Sequence, residues 1–128
     1  MLYEHKERII YADTDAEGVV YYANYLKFFE RGRDEFIRKM GFSLKNLKQE
    51  KGLLFAVDNV ECKYHAPARF DDELIITTEI AETTGVRIIF EQKALRENNL
   101  LVFAKISVFA LDAKTFKPLR LPSEFKLF

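Results

Sequence analysis

Two acidic residues one position apart, Asp13 and Asp15, are the first candidates for chemistry in this 128-residue chain. They lie in the segment YADTDAEGVVYYANY, which runs from Tyr11 to Tyr25 and leads into a stretch with the pattern of an aromatic-rich helix. Acidic residues are also common before helices, because a helix N-terminus is partly positive. On this local pattern alone, Asp15 is either a helix-start residue or an acid that faces a substrate held at the helix end.

The second possibility describes a known kind of chemistry. A carboxylate is already ionised at neutral pH, so it acts as a nucleophile or a general base with no activating partner. The N-terminus of a helix offers unpaired N–H groups that stabilise a developing negative charge. An acid beside a helix start is therefore suited to attack on a carbonyl group.

Other reactive residues are sparse in the sequence. A single cysteine, Cys62, excludes an intrachain disulfide framework and a multi-cysteine metal site. The two histidines, His5 and His65, have no acids or cysteines at ligand spacing, so we expect no metal and no cofactor. A Gly-x-Ser-x-Gly motif is also absent, which argues against a serine hydrolase.

The composition limits the partners and the location. Twenty basic and twenty acidic residues give a formal net charge of +0, which offers no bulk attraction to nucleic acid or to an anionic membrane. No apolar run approaches the ~20 residues that span a bilayer, and the N-terminus MLYEHKERII lacks the apolar core of a signal peptide. We expect one domain over residues 1–128, with no membrane insertion and a cytoplasmic location.

The hydrophobic pattern predicts a strand over Leu2–Tyr11, a loop over Ala12–Gly18 and a long helix from about Tyr22 to Met40. Gly41 ends this helix. Its apolar stripe consists of Tyr25, Phe28, Phe29, Gly32, Phe36 and Met40. Gly32 on that stripe indicates close packing against another element. A short second helix is predicted over Ser43–Glu50, with Ser43 as its N-cap.

After Gly52 the sequence has the character of strands joined by turns. The predicted strands are Leu54–His65, Glu73–Thr84, Val86–Arg96, Leu100–Leu111 and a short one near Phe116–Leu121. The turns fall at Gly85 and at Asn98–Asn99. We therefore predict an α+β fold, a curved antiparallel sheet of about five strands wrapped around one long helix.

This order, together with the motif from Tyr11 to Tyr25, resembles the hot-dog fold acyl-CoA thioesterases. It is most similar to the 4-hydroxybenzoyl-CoA thioesterase family and, within it, to the Tol-Pal-associated subgroup. The helix segment LKFFER and the later segments PARFDD, FEQ and KPLRLP support the likeness over nearly the whole chain. The resemblance implies hydrolysis of the thioester bond of short-chain or aromatic acyl-CoA.

The resemblance also implies roles for three residues. Asp15 matches the catalytic acid of the family, the backbone N–H of Tyr22 matches the group that polarises the thioester carbonyl, and Tyr11 matches an active-site tyrosine of the subgroup.

Asp13 is expected to bond loop amides. The subgroup usually has histidine in place of Tyr22. Glu17 replaces a small residue and is expected to face solvent. Glu30, on the helix, remains a distant alternative base.

Three questions stay open in the sequence. Asp15 is either a nucleophile or a general base. The CoA phosphates require basic residues, and the candidates are Lys63, Arg69, Arg87 and Lys93. The alternative functions are a hot-dog dehydratase or hydratase, which typically needs a histidine that Tyr11–Gly41 lacks, and a non-catalytic acyl-thioester binding or scaffold protein.

The resemblance also predicts a homo-oligomer, a dimer at least and a tetramer by further pairing. A single sheet curled over one helix leaves an edge strand that is open to pairing with another chain. It also leaves one face of the sheet uncovered. The apolar segment Leu100–Leu111 carries few charges and suits a buried interface between chains better than a solvated face.

Overall fold

The computed structural model describes residues 1–127 and confirms the α+β hot-dog fold. Its two α-helices and five strands are β1 (Leu2–Arg8), α1 (Asn24–Lys39), α2 (Leu44–Lys51), β2 (Leu53–Tyr64), β3 (Glu73–Thr83), β4 (Arg87–Arg96) and β5 (Asn99–Asp112). The strands form one five-stranded antiparallel sheet in the order β1-β3-β4-β5-β2. One face of the sheet packs against α1.

The helix periodicity predicted which side of α1 is buried. The buried residues of the helix are Tyr25, Phe28, Phe29, Gly32, Phe36 and Ile37. Facing them are alternate residues of the inner strands, among them Ile88 and Phe90 on β4 and Ala104 and Ile106 on β5. The helix repeat of 3.6 residues and the strand repeat of two thus supply the two sides of one core.

A buried polar side chain joins α1 to the sheet. Gln92 of β4 is fully buried, and its amide nitrogen donates to the Phe29 carbonyl and to the Thr78 hydroxyl, each at 2.8 Å. Its amide oxygen accepts a hydrogen bond from Arg33 at 3.0 Å. Both N–H groups and the oxygen of this buried amide therefore have hydrogen-bond partners, as burial of a polar group requires.

At Gly32 the helix α1 packs closely against the sheet, as the sequence predicted. A Cβ atom at this position would lie 2.9 Å from the Thr78 hydroxyl oxygen, 3.0 Å from a methyl carbon of Ile76 and 3.1 Å from the Gln92 amide nitrogen. The missing side chain is what allows Gln92 to reach the helix backbone.

The ends of the first elements differ from the prediction. Strand β1 ends at Arg8 rather than Tyr11, and residues Tyr11–Asp13 form a short 3₁₀ turn. Helix α1 begins at Asn24, two residues later than predicted. Tyr22 therefore lies in the turn that leads into the helix. Helix α2 has the predicted N-cap, since the Ser43 hydroxyl accepts the Asn46 N–H at 3.1 Å.

The predicted strand near Phe116–Leu121 is wrong. The segment touches β5 through one isolated bridge, Leu111 with Pro118, and through scattered backbone hydrogen bonds. Phe116 has a φ of +58°, which breaks an extended chain, and Pro118 has no N–H to donate to a ladder. A 3₁₀ helix, Ser123–Leu127, follows.

The apolar segment Leu100–Leu111 lies in the interior of the sheet, and its burial in an interface between chains stays a prediction. This segment belongs to β5, which is bonded to β4 on one side and to β2 on the other, so its apolar content reflects an interior position in the sheet. The free edges belong to β1 and β2. Within residues 1–127, no helix has the length and apolarity needed to cross a bilayer.

We predict that Gly32→Ala destabilises the fold. Alanine is a better helix former by about 1 kcal/mol, but its methyl group would collide with Thr78 and Gln92. The free energy of unfolding in urea should fall by about 1–2 kcal/mol net. Lys27→Ala, at an exposed position on the same helix, is the control and should change it little. A Gly32→Ala protein as stable as the wild type would contradict the close approach.

Candidate active site

Asp13 holds the segment before α1 through both its side chain and its main chain. The carboxylate of Asp13 accepts the Ile10 N–H at 2.9 Å, which is the structural role predicted for it. Its main-chain carbonyl accepts the Tyr21 N–H at 3.0 Å and the side-chain amide of Asn24 at 2.9 Å. Asp13 therefore ties the acidic loop to the first residue of the helix.

Asp15 lies at the surface of a tight loop. Its N–H donates to the Val19 carbonyl at 2.9 Å, and its carbonyl accepts the Gly18 N–H at 3.0 Å. One carboxylate oxygen accepts the Glu17 N–H at 2.8 Å. Among residues 1–127, the other oxygen accepts no hydrogen bond from the protein. The loop thus holds the Asp15 side chain by one oxygen and leaves the second available.

The N–H groups at the head of α1 are exposed donors. The Tyr21 carbonyl accepts the Asn24 N–H at 2.8 Å and so points toward the helix. Because the C=O and N–H of a trans peptide point in opposite directions, the Tyr22 N–H is aimed away from the helix, off its N-terminus. In the described part of the chain, neither the Tyr22 N–H nor the Ala23 N–H has a protein acceptor. They stand at the positive end of the helix dipole.

An aromatic pocket of about 290 Å³ opens at this helix head. Its lining consists of Val20, Tyr22, Tyr25, Tyr64, His65, Ala66 and Pro67. The ring centroid of Tyr64 lies 5.7 Å from that of Tyr25 and 6.2 Å from that of Tyr22, in edge-to-face arrangements. Such rings present flat apolar surfaces with polar tips.

Tyr64 also contacts the turn before α1 through its hydroxyl, which donates to the Tyr22 carbonyl at 3.2 Å. Burial, followed by the neighbouring Cys62 thiol, raises the pKa of Tyr64 to about 12. The phenol therefore keeps its proton throughout the neutral range and remains a donor.

The rim of the pocket is held by an ion pair. Arg96 donates to the Asp72 carboxylate at 2.7 Å and to the Pro67 carbonyl at 3.2 Å. The same Asp72 oxygen accepts the Arg69 N–H at 2.8 Å. On the helix side, the buried Tyr25 hydroxyl accepts the Ala68 N–H at 3.1 Å. These bonds hold residues 67–69 against the N-terminal end of α1.

A second cavity of about 230 Å³ lies further along α1, between the helix and β2. Its lining consists of Leu26, Glu30, Arg33, Val57, Val60 and Ile106. Val57 is 49% exposed and Val60 40% exposed, because α1 leaves this end of the sheet uncovered. Glu30 lies here, on the helix surface and away from the lining of the aromatic pocket.

The structure brings only part of the predicted site together. Tyr22 lines the aromatic pocket, and Asp15 lies in the loop that Asp13 ties to the same helix head. Tyr11 does not line the pocket. Its ring is 75% exposed and stacks on Phe70 with 3.8 Å between ring centroids, at the outer side of the loop.

The basic candidates for phosphate binding are distributed over the surface. Arg87 is paired with Asp58 at 3.4 Å and covers the Phe109 ring at 4.3 Å, so it is engaged within the fold. Lys63 and Lys93 both lie opposite Phe103 in the strand register, on the face of the sheet that points away from α1. Arg69 is bridged to Val19, beside the acidic loop.

Sequence reasoning missed Tyr64 and His65. They lie at the end of β2, far along the chain from the helix head, and only the pairing of β2 with β5 brings them to the pocket. The sequence offered one sign of them. The predicted strand Leu54–His65 ends just before AlaProAla, and residues at strand ends lie together at one end of a sheet. Within residues 1–127, no group of three histidine, cysteine or acidic residues is placed to bind a metal ion.

Comparison with known proteins identifies relatives of this architecture. Residues 11–127 match the model of the Thioesterase-like superfamily. The chain is 42% identical over 130 residues to the "Acyl-CoA thioester hydrolase YbgC" of Escherichia coli O6:H1, which covers 98% of this chain and 96% of that protein. It is 41% identical over 119 residues to the "Acyl-CoA thioesterase YbgC" of Haemophilus influenzae, with coverage of 93% and 88%.

A solved structure shows the same fold. The crystal structure of a probable thioesterase from Bartonella henselae superposes with a TM-score of 0.91 at 40% sequence identity, over 95% of this chain and 100% of that one. The likeness therefore extends over the helix, the sheet and the loops that form the pocket.

We predict that Asn24→Ala loosens the head of α1. The change removes the hydrogen bond to the Asp13 carbonyl, worth about 1 kcal/mol of unfolding free energy. Amide hydrogen exchange at Tyr21 should become faster, since its acceptor is the same carbonyl. Asn46→Ala, in exposed α2, is the matched control. Unchanged exchange at Tyr21 would show that the Asp13 carbonyl is held by other means.

Proposed function

Because the chain belongs to the Thioesterase-like superfamily, we propose that it hydrolyses short-chain or aromatic acyl-CoA at the head of α1. The enzyme class follows from relatives named acyl-CoA thioester hydrolases at 41% and 42% identity over most of the chain. The observation that carries the proposed site is the pair of unpaired N–H groups at Tyr22 and Ala23, at a helix end that borders the aromatic pocket and that Asp13 ties to the Asp15 loop.

The chemistry assigns one role to each part of this arrangement. The substrate carbonyl oxygen accepts the Tyr22 N–H, and the negative charge that develops on it is stabilised by the helix N-terminus. Asp15 acts on the carbonyl carbon in one of two ways. As a nucleophile it forms a mixed anhydride and expels the CoA thiolate, and water then cleaves the anhydride. As a general base it takes a proton from the attacking water.

The substrate range follows from the pocket. Rings of Tyr22, Tyr25 and Tyr64 offer edges and faces to a flat or short acyl group. Tyr11, which matches the subgroup's active-site tyrosine, would act from the outer side of the loop.

We also propose membership of the Tol-Pal-associated subgroup, on the motif from Tyr11 to Tyr25. We propose a cytoplasmic location as well, because CoA thioesters are made and used there.

The working unit of the proposed enzyme is a homodimer joined at the β2 edge, with a tetramer as the further assembly. Within residues 1–127 that edge has no strand partner, and Val57, Val60 and Leu26 are partly exposed beside it. A second copy that pairs there would cover these side chains and extend the sheet. The groove along α1 would then lie between two protomers.

The alternative activities are separated by one assay. His65 lines the pocket, which the dehydratase alternative would require, but no acid of the described chain pairs with its ring. If the proposal is right, this protein should release free CoA from a panel of acyl-CoA thioesters. A hydratase would instead add water to an enoyl-CoA without releasing the thiol, and a binding protein would do neither.

We predict that Asp15→Asn nearly abolishes hydrolysis and leaves the fold intact. The amide keeps an oxygen that accepts the Glu17 N–H, so the loop is preserved while the charge is lost. Turnover of acyl-CoA should fall by about 100-fold or more. Glu17→Gln, an exposed acid in the same loop, is the control and should stay active. Equal turnover for Asp15→Asn and wild type would overturn the mechanism.

We predict that Val57→Glu weakens the dimer. A charge at this exposed apolar position beside the β2 edge would be buried by the second copy at a large cost. Sedimentation equilibrium at low micromolar concentration should show a dimer or tetramer for the wild type and a shift toward monomer for the variant. Leu2→Glu, on the opposite edge strand, is the control. A monomeric wild type with full activity would rule out a groove completed by a partner.

A further inference from the structure

We infer that Tyr64 is a positioning residue, which orients the peptide between Tyr22 and Ala23 so that the Ala23 N–H joins the Tyr22 N–H as a second donor to the substrate carbonyl. This inference rests on the proposed function and extends it to a residue of the far edge strand. It is carried by the hydrogen bond from the Tyr64 hydroxyl to the Tyr22 carbonyl at 3.2 Å.

The turn before α1 depends on few contacts. Tyr21 is held on both sides, through its N–H to Asp13 and through its carbonyl to Asn24. The next peptide, between Tyr22 and Ala23, has no backbone partner for its carbonyl in residues 1–127. Among the described side chains, Tyr64 alone bonds the main chain of residues 21–23. The orientation of this peptide, and of the Ala23 N–H within it, is therefore set by the Tyr64 hydroxyl.

Tyr64 is suited to this role because it is on a rigid element. It is the last residue of β2, paired with Val102 of β5, and it is 42 residues away from Tyr22 in the chain. The edge-to-face contact with Tyr25 fixes the ring against the buried side of the helix. The sheet thus sets the conformation of a turn that the helix alone leaves free.

The same residue also forms a wall of the pocket, and the two roles have different kinetic signatures. A side chain that lines the pocket contacts the acyl group equally in the ground state and in the transition state, so removal of that contact raises KM. A residue that positions the donor matters when charge develops on the carbonyl oxygen, so its loss lowers kcat. Tyr64→Phe separates the two because it keeps the ring and removes only the hydroxyl.

The test is steady-state kinetics of Tyr64→Phe on a panel of short-chain and aromatic acyl-CoA esters. We expect kcat to fall about tenfold on every ester with little change in KM. That loss is smaller than the ~100-fold to 1,000-fold cost of deleting an oxyanion donor, because the donor stays and only its orientation is loosened. Tyr3→Phe, on β1 and remote from the pocket, is the matched control and should behave as wild type.

A second variant retains both ring and hydroxyl. A fluorinated, more acidic tyrosine at position 64 loses its proton at lower pH, and a phenolate cannot donate to the Tyr22 carbonyl. The fall of kcat at high pH should therefore move to lower pH in this protein. An unchanged kcat in Tyr64→Phe, a rise confined to KM, or an unmoved pH profile would overturn the inference.

A structural measurement keeps this test separate from that of the proposed function. Backbone ¹⁵N relaxation should show a lower order parameter at the Ala23 amide in Tyr64→Phe than in the wild type, whether or not any ester is hydrolysed. An equally ordered Ala23 would reject the role of Tyr64. A wild type that releases no CoA from any ester would instead reject the proposed function.

Discussion

The main-chain carbonyl of Asp13 accepts two hydrogen bonds, from the Tyr21 N–H and from the Asn24 side chain, and the geometry of the site depends on this one oxygen. It joins the loop that carries Asp15 to the helix end that carries the free N–H groups. If the two moved independently, an acid and a positive helix end would be near each other only by chance. The reaction needs both at one carbonyl, and catalysis depends steeply on such placement.

The rest of the fold keeps the helix end in place. Gly32 lets α1 approach β3 and β4 closely enough for Gln92 to bond the helix backbone, which fixes the helix on the sheet. The end of β2 then stands beside the helix head, where Tyr64 reaches the Tyr22 carbonyl. The pocket is thus built from the loop, the helix and the edge strand, and its rim is closed by the pair of Arg96 with Asp72.

The sequence predicted what periodicity and turn residues determine. The aromatic stripe of α1, the close packing at Gly32 and the order of the elements along the chain all follow from spacing. It could not predict contacts that depend on which strands are neighbours, such as Tyr64 on Tyr22. The position of Leu100–Leu111 between β4 and β2 could not be predicted either, because an apolar strand has the same sequence pattern inside a sheet and at an interface between chains. The sequence also predicted a strand near Phe116, where a left-handed φ that no residue type signalled breaks the chain.

The central claim is that the substrate carbonyl is received at the head of α1. Amide NMR with a non-hydrolysable thioether ketone analogue of an acyl-CoA ester tests it directly, because the analogue keeps the carbonyl and lacks the scissile bond. We predict that binding shifts the Tyr22 and Ala23 amide protons downfield more than any others, as expected when free donors gain a strong acceptor. Saturable binding that leaves both signals unmoved, with the largest changes near Glu30 in the α1–β2 groove, would contradict the account.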